Sequence, residues 1–270
     1  ARRIMAVPAE LRLIRDLPTF QYVTLLFLLA ESNLRLISVW NPTFLEMLLQ
    51  QFREHSERLL ADLENGSVRP PADLPKPLGQ RLQKYRLPQP KRARRLRELL
   101  VANEFSWPRV WPQLRLISCW ADAWARSFLP AIEESFPGVA IQGKGLLATE
   151  AFVSLPYGEP AEGTAVLANR SHFFEFEEAV GGSVRRADEL EQDGVYSVIV
   201  TTGGGLYRYR LGDRVRVESF MRKTPRLRFL GRDNKVSDMT GEKLHEVFVQ
   251  KAVEGACSTL EVKLEFFFMA

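Results

Sequence analysis

The stretch TTGGGLYRYRLGD, Thr201–Asp213, joins three consecutive glycines to an alternating Tyr/Arg run and ends on a carboxylate. It reads in three ways: a glycine loop that wraps phosphates, a basic strand for nucleic acid, or a hairpin with a ligand site at its tip. The first fails on pattern. There is no G-x-x-x-x-G-K-[ST], and a strand-like run follows where a phosphate loop needs a helix N-terminus. The second lacks the wider basic and aromatic surface of a nucleic-acid binder. A hairpin turn accounts for the stretch best. Strand alternation then puts Tyr207, Tyr209 and Leu211 on one face and Arg208 and Arg210 on the other. Gly212 permits a bend, Val215 and Val217 resume the buried face, and Asp213 is expected just after the strand, at a turn. There its carboxylate either accepts two hydroxyls of a ribose or stabilises its own turn.

The sequence around this hairpin is also β-rich. VAIQG, EAFVSLP, VYSVIVTT and RVRVESF are short runs separated by Gly, Pro and Asp turns, and a last strand, RLRFLG, follows them. Upstream the pattern changes. RLISVW (Arg35–Trp40) reads as a buried strand, and Asn41 with Pro42 reads as a helix start. Leu45, Leu48, Leu49, Phe52, Leu59, Leu60 and Leu63 then form a helical stripe that ends near Gly66. Arg69–Gly79, rich in proline, is expected as a surface connection. Lys91–Leu100 is either an anion-binding patch or a solvated helix face with Leu96, Leu99 and Leu100 turned inward.

A second strand, LRLISCW (Leu114–Trp120), repeats LRLISVW (Leu34–Trp40) at six of seven positions. A helix is expected after it, over Ala121–Phe136, stopped by Pro137-Gly138. Two α/β units of similar design in one layered domain fit this repeat. The expectation is a large domain over 1–231, α/β first and β-rich second. A new unit begins near Arg232 and carries a helix within KLHEVFVQKAVEGA.

At 270 residues the chain is long enough for roughly two domains. A net charge of +4 is small for this length and suits an anionic small molecule as well as any larger partner. Cys119 and Cys257 form no ligand-spaced pair, and His55, His172 and His245 are scattered, which argues against zinc and for a reduced, cytoplasmic protein. The most apolar run, Tyr22–Ala30, is less than half the roughly 20 residues that cross a bilayer. The abrupt ends, at Ala1 and after LEFFFMA, read as those of an internal piece of a longer protein.

Three further segments carry candidate chemistry. Thr149-Glu150, after GKGLLA, sets a hydroxyl beside a carboxylate, as phosphate contact and Mg²⁺ binding require, or else makes a capped turn. In SHFFEFEE, Phe173 or Phe174 is placed to stack on a base, or both are core aromatics. In GRDNKVSDMTGEKLHE, Arg232 and Lys243 are candidates for phosphate or ribose contact and Asp233 for a hinge.

Taken in order, GKGLLATEAF, SHFFEF, TTGGGLYRYRLGDRVRV and RLRFLGRDNKVSDMTGEKL resemble the acyl-acid amido synthetases of the auxin-responsive Gretchen-Hagen family, in wording closest to its bacterial branch. The resemblance implies the adenylate-forming fold: a layered α/β N-terminal domain with a β-rich subdomain, then the start of a small C-terminal α+β domain over 232–270. It implies ATP and Mg²⁺ as cofactors and a carboxylic acid and an amino acid as substrates, with no nucleic acid and no membrane involved. The acid is activated as its acyl-adenylate and then passed to the amine. On this resemblance Thr149 and Glu150 meet the phosphates, Glu150 through the metal. Phe173 and Phe174 lie by the adenine, Asp213 holds the ribose, Arg232 sits at the hinge, and Lys243 reaches the α-phosphate. The family's first phosphate loop and most of its C-terminal domain are expected outside these residues, so the piece alone is expected to be inactive. A thiol acceptor, or a non-catalytic scaffold built on the same fold, are the alternatives.

Overall fold

The computed structural model describes residues 5–85, 88–158, 165–179, 181–232, 236–237, 244–260 and 262. The apolar run of the sequence lies in helix α1 (Leu17–Ala30), where Tyr22, Val23, Leu25, Leu26 and Leu29 are shut off from solvent. Asp16 caps it, accepting from the Thr19 amide at 2.9 Å and so serving a donor that the helix cannot. Among the described residues no helix is long and apolar enough to cross a membrane.

The expected strand–helix unit follows as β1 (Leu36–Ser38) and α2 (Pro42–Asn65). Asn41 Oδ1 accepts from the Thr43 amide at 3.0 Å, and Gly66 ends the helix in the left-handed conformation. All seven residues of the predicted stripe are buried. At roughly 1.5–3 kcal/mol for each buried side chain, that stripe outweighs the cap as the reason the helix stays docked. Asp62 also lies on this buried face. It accepts from Ser67 Oγ (2.6 Å), the Arg69 amide (2.7 Å), Arg69 Nε (2.8 Å) and Tyr22 Oη (3.0 Å). Burial alone would raise its pKa, but these donors outweigh burial and hold the carboxyl below its ordinary value.

The connection expected over Arg69–Gly79 is shorter than the sequence suggests. Its last residues open α3 (Lys76–Gln83), because Pro77 suits a first helical turn and Leu78 and Leu82 supply a buried face. In α4 (Pro90–Val101) the inward-face reading holds, with Leu96 and Leu99 buried. Arg92 turns from the basic face to the Leu29 and Val110 carbonyls, at 3.1 and 2.6 Å. It thereby ties the end of α1 to the end of α5 (Trp107–Val110). Then come β2 (Leu116–Cys119), α6 (Leu129–Ser135) and β3 (Ala140–Gly143). The single helix expected over Ala121–Phe136 is instead a 3-10 turn, Ala123–Phe128, running into α6. Pro130 is the reason: it cannot donate to an earlier turn, so the α-helix has to begin there.

The three strands stand in the order β1-β2-β3, with β1 and β2 parallel. Leu36 lies opposite Leu116, Ile37 opposite Ile117 and Ser38 opposite Ser118, so the repeated heptads lie side by side in register. Ile37 and Ile117 face the core, and Trp40 stacks on Trp120 with ring centres 5.9 Å apart. An aromatic run through Phe52, Phe105, Trp107, Trp111 and Phe136 fills that core.

These elements form one unit, covering 1–121 and 125–142; residues 122–124 and 143–270 form another. The division falls inside the expected large domain and separates its α/β part from its β-rich part. The second unit holds β4 (Ser154–Pro156), β5 (Ala165–Leu167), β6 (Phe173–Glu178), β7 (Val184–Arg186), β8 (Val195–Thr201), β9 (Tyr209–Met221) and β10 (Thr224–Arg232). They make one antiparallel sheet of order β4-β5-β10-β9-β8-β6-β7. A small ladder of β11 (Val236–Ser237) and β12 (Leu244–His245) follows, then α7 (Glu246–Thr259).

Strands β5 and β6 are consecutive in the chain yet four positions apart in the sheet. Four spacings amount to about 19 Å if the sheet is flat. Residues 168–172 alone join them, and the Ser171 amide turns back to the Ala168 carbonyl at 2.8 Å. A chain so folded cannot cover that span. The sheet therefore curls, which brings the end of β5 beside the start of β6.

Candidate functional site

The stretch Thr201–Asp213 is a hairpin between β8 and β9, as its composition suggested. The Thr202 amide bonds the Leu206 carbonyl at 2.9 Å across the glycine turn. Two details differ from simple alternation. Arg208 takes a left-handed φ of 44°, so the alternating pattern starts only after it. Asp213 does not follow the strand at a turn; it lies inside β9. Ser197 pairs with Arg214 and Ile199 with Arg210, so Val198 alone stands opposite Leu211, Gly212 and Asp213. The surplus residues form a bulge, which Gly212 at φ 74° makes possible. Asp213 shares the inward face of Leu211, Val215 and Val217, and the residue is 7% exposed.

On the other side of β9, Asp213 pairs in register with Arg232, the last residue of β10. Arg232 Nε lies 3.2 Å from Asp213 Oδ1, and its Nη2 donates to the Leu211 carbonyl at 2.7 Å. The guanidinium thus grips both flanks of the bulge. A carboxylate held this way is a fixed acceptor, suited to a pair of hydroxyls.

Thr149 and Glu150 form the tip of a tight hairpin closed by the Leu147–Phe152 bridge, with the Ala148 amide on the Ala151 carbonyl at 3.0 Å. Both tip residues are exposed. Gly145 sets the entry. Its φ is 73°, and a Cβ there would sit 2.5 Å from the Ser154 carbonyl oxygen. Ser154 Oγ, itself buried, accepts from the Leu146 amide at 2.8 Å. Among the described residues no group of three or more His, Cys, Asp and Glu is placed to hold a metal. A lone exposed carboxylate suits a Mg²⁺ that arrives on nucleotide phosphates, since that ion keeps most of its ligands as water and phosphate.

The two phenylalanines separate. Phe173 is 55% exposed, whereas Phe174 is 4% exposed and meets His172 edge-on in the interior. Phe173 is therefore the one with a ring face open to a base. Next to it lies an arrangement that the sequence reading missed. Arg208 Nε reaches Glu175 Oε2 at 3.0 Å, and Arg210 bonds both oxygens of Glu177, at 2.6 and 3.0 Å. These pairs cross over β8 and cover Ile199, which is buried beneath them. The Arg210 side-chain bond holds Glu177 below the usual carboxylate range. The signal was present: Glu175 and Glu177 share the two-residue spacing of Arg208 and Arg210. Lys243 and Asp233 lie outside the described residues.

Residues 1–141 match the GH3 family N-terminal domain, and residues 165–232 match the GH3 family central domain. The chain belongs to the GH3 family. Asp213 and Arg232 both fall within the matched central domain, Arg232 at its last residue, while Thr149 and Glu150 lie between the two matches. Among GH3 proteins the chain is 30% identical over 194 residues to the probable indole-3-acetic acid-amido synthetase GH3.6 of Oryza sativa subsp. japonica, covering 66% of this chain and 38% of that protein. It is 38% identical over 106 residues to the jasmonoyl--L-amino acid synthetase GH3.5 of the same plant, covering 39% of this chain and 16% of that one. The solved GH3.15 acyl acid amido synthetase superposes with a TM-score of 0.78 at 23% identity, over 95% of this chain and 47% of its own. The α/β fold is thus the GH3 fold. This chain spans less than half the length of these relatives.

Proposed function

We propose that the protein acts as an ATP-dependent acyl acid amido synthetase. It activates a carboxylic acid as its acyl-adenylate and joins the acyl group to the amine of an amino acid. The acid's oxygen attacks the α-phosphorus and pyrophosphate leaves. The amine then attacks the acyl carbon, gives up a proton, and AMP departs. Relatives named as indole-3-acetic acid-amido and jasmonoyl amino acid synthetases, and a GH3.15 structure in complex with 2,4-DB, support a small organic acid as the first substrate.

The observation that carries this reading is the Asp213 carboxylate, buried in a bulge and gripped by Arg232. In this proposal Asp213 accepts the ribose hydroxyls and Arg232 steadies it at the start of a hinge. The Phe173 ring covers one face of the adenine, with Phe174 behind it as a packed support. Thr149 and Glu150 meet the phosphates. Bound magnesium would supply charge neutralisation there, held to the protein by Glu150. A second domain, starting near Arg232, brings Lys243 to the α-phosphate when it closes. Such chemistry depends on positioning and charge neutralisation more than on a strong base. A reduced, cytoplasmic setting belongs to the same proposal, supported by Cys119 and Cys257, neither of which is joined in a disulfide.

The test is acid-dependent exchange of labelled pyrophosphate into ATP, by the protein carried to the full length of its relatives. Exchange that needs both a carboxylic acid and Mg²⁺ supports the reading. Exchange with no acid dependence, or none with any of a panel of aryl and alkyl acids, rejects it.

A further inference from the structure

Resting on the nucleotide reading above, one more residue acquires a role from its place between two candidate contacts. The antiparallel pairing of β4 with β5, Ser154 opposite Leu167, continues outward and sets the turn at 168–171 against the C-terminal leg of the Thr149–Glu150 hairpin. Two hydrogen bonds join them: the Ala168 amide donates to the Val153 carbonyl at 2.8 Å, and Ser171 Oγ lies 2.7 Å from the Phe152 carbonyl. The first is backbone to backbone and indifferent to sequence. The second depends on a side chain. Phe152 stands two residues after Glu150, and Ser171 stands two residues before Phe173. One hydroxyl thus spans the gap between the leg that carries the phosphate-side carboxylate and the strand that carries the exposed ring.

We propose that Ser171 is a positioning residue that holds the Thr149–Glu150 tip in register with Phe173, so that phosphates and base are met at a fixed separation. The base of the hairpin is already fixed. Gly145 presses on the β4 backbone, Leu146 is bonded to the Ser154 hydroxyl, and the Val153 and Ser154 amides both donate to the Leu146 carbonyl, at 3.0 and 3.1 Å. Beyond these bonds, toward the tip, Phe152 is 45% exposed, and its carbonyl is where Ser171 acts. Its hydroxyl has a single proton and a second acceptor within reach, the Ala168 carbonyl at 2.7 Å. If the proton goes there, Ser171 merely stabilises its own turn. The two roles differ in what depends on them.

Ser171→Ala and Ser171→Thr separate these roles. Hydrogen exchange is read at the Ala148 amide, which closes the tip, and affinities are measured for AMP and for Mg·ATP. In the positioning role, Ser171→Ala speeds exchange at Ala148 several-fold. It weakens Mg·ATP by roughly 3–10-fold, the worth of one ordinary hydrogen bond, and leaves AMP within about twofold. Ser171→Thr, which keeps the hydroxyl, restores both. Unchanged exchange at Ala148 in Ser171→Ala overturns the proposal, as does an equal loss for AMP and Mg·ATP. A wild-type chain that binds neither nucleotide would remove the functional reading, whereas the exchange measurement decides independently whether Ser171 orders the tip.

Discussion

Arg232 Nε lies 3.2 Å from Asp213 Oδ1, and the two residues are register partners, Asp213 inside β9 and Arg232 at the end of β10. The pair joins a bulge in the middle of one strand to the last residue of the next. Whatever binds Asp213 is therefore coupled directly to the point where the chain leaves the sheet.

Replacing Asp213 with Ala should weaken ATP and AMP alike. Losing a carboxylate that accepts two hydroxyl bonds costs on the order of 2–3 kcal/mol, or roughly 30–150-fold in affinity. Calorimetric titration of both nucleotides checks it. An unchanged affinity would leave Asp213 as no more than the partner of Arg232.

Glu150→Gln and Lys243→Ala should each slow acid-dependent ATP–pyrophosphate exchange by roughly a hundredfold or more, because under the proposed function each removes a charge that faces the phosphates in the adenylation step. Thermal stability should hardly change, since Glu150 sits exposed at a hairpin tip. A large loss of stability in Glu150→Gln, or full exchange by either variant, would contradict these roles.

A hinge beginning near Arg232 predicts preferential proteolytic cutting within residues 233–240 in the absence of ligand, suppressed by ATP with an acid. Cutting sites are read by mass spectrometry. Protection of that segment in the free protein argues against a moving second domain.

Asp62 makes the α-helical unit sensitive to acid. Its folded pKa lies below the unfolded value of about 4. Its contribution is therefore complete above roughly pH 5 and is lost as the pH falls through the unfolded value toward the folded one. Urea unfolding followed by tryptophan fluorescence should show wild-type stability falling between pH 5 and 3. Asp62→Asn should start about 2–4 kcal/mol lower at pH 7 and vary less across that window. Parallel curves for the two proteins would refute the assignment.

Gly145→Ala should destabilise the β-rich unit by at least about 1–3 kcal/mol. The residue combines a left-handed φ with a Cβ position 2.5 Å from a backbone oxygen. Thermal unfolding measures this. A neutral substitution would mean the hairpin shifts freely and does not hold its tip in place.

Some of this protein could be read directly along the chain. The cap at Asn41, the Leu45–Leu63 stripe, the stop at Gly66 and the turn at Gly203–Gly205 depend on neighbours within a few residues, where capping, periodicity and glycine's freedom act alone. The candidate residues were found the same way, as short motifs in order. Their arrangement was not legible, because it follows from pairing between distant strands. The sequence left open whether Phe173 or Phe174 is free to stack or both are core aromatics, and only the packed sheet decides which ring meets solvent. Asp213 looked like a turn residue because a glycine precedes it. It is instead a buried strand residue on the inward face of Leu211, Val215 and Val217, in a bulge where Val198 on β8 leaves three residues of β9 without separate partners. Likewise the repeated heptads predicted two strands, and their parallel register placed Trp40 against Trp120. Local patterns act through a few bonds and survive in any context. Register and burial are settled by which distant segments exclude water together.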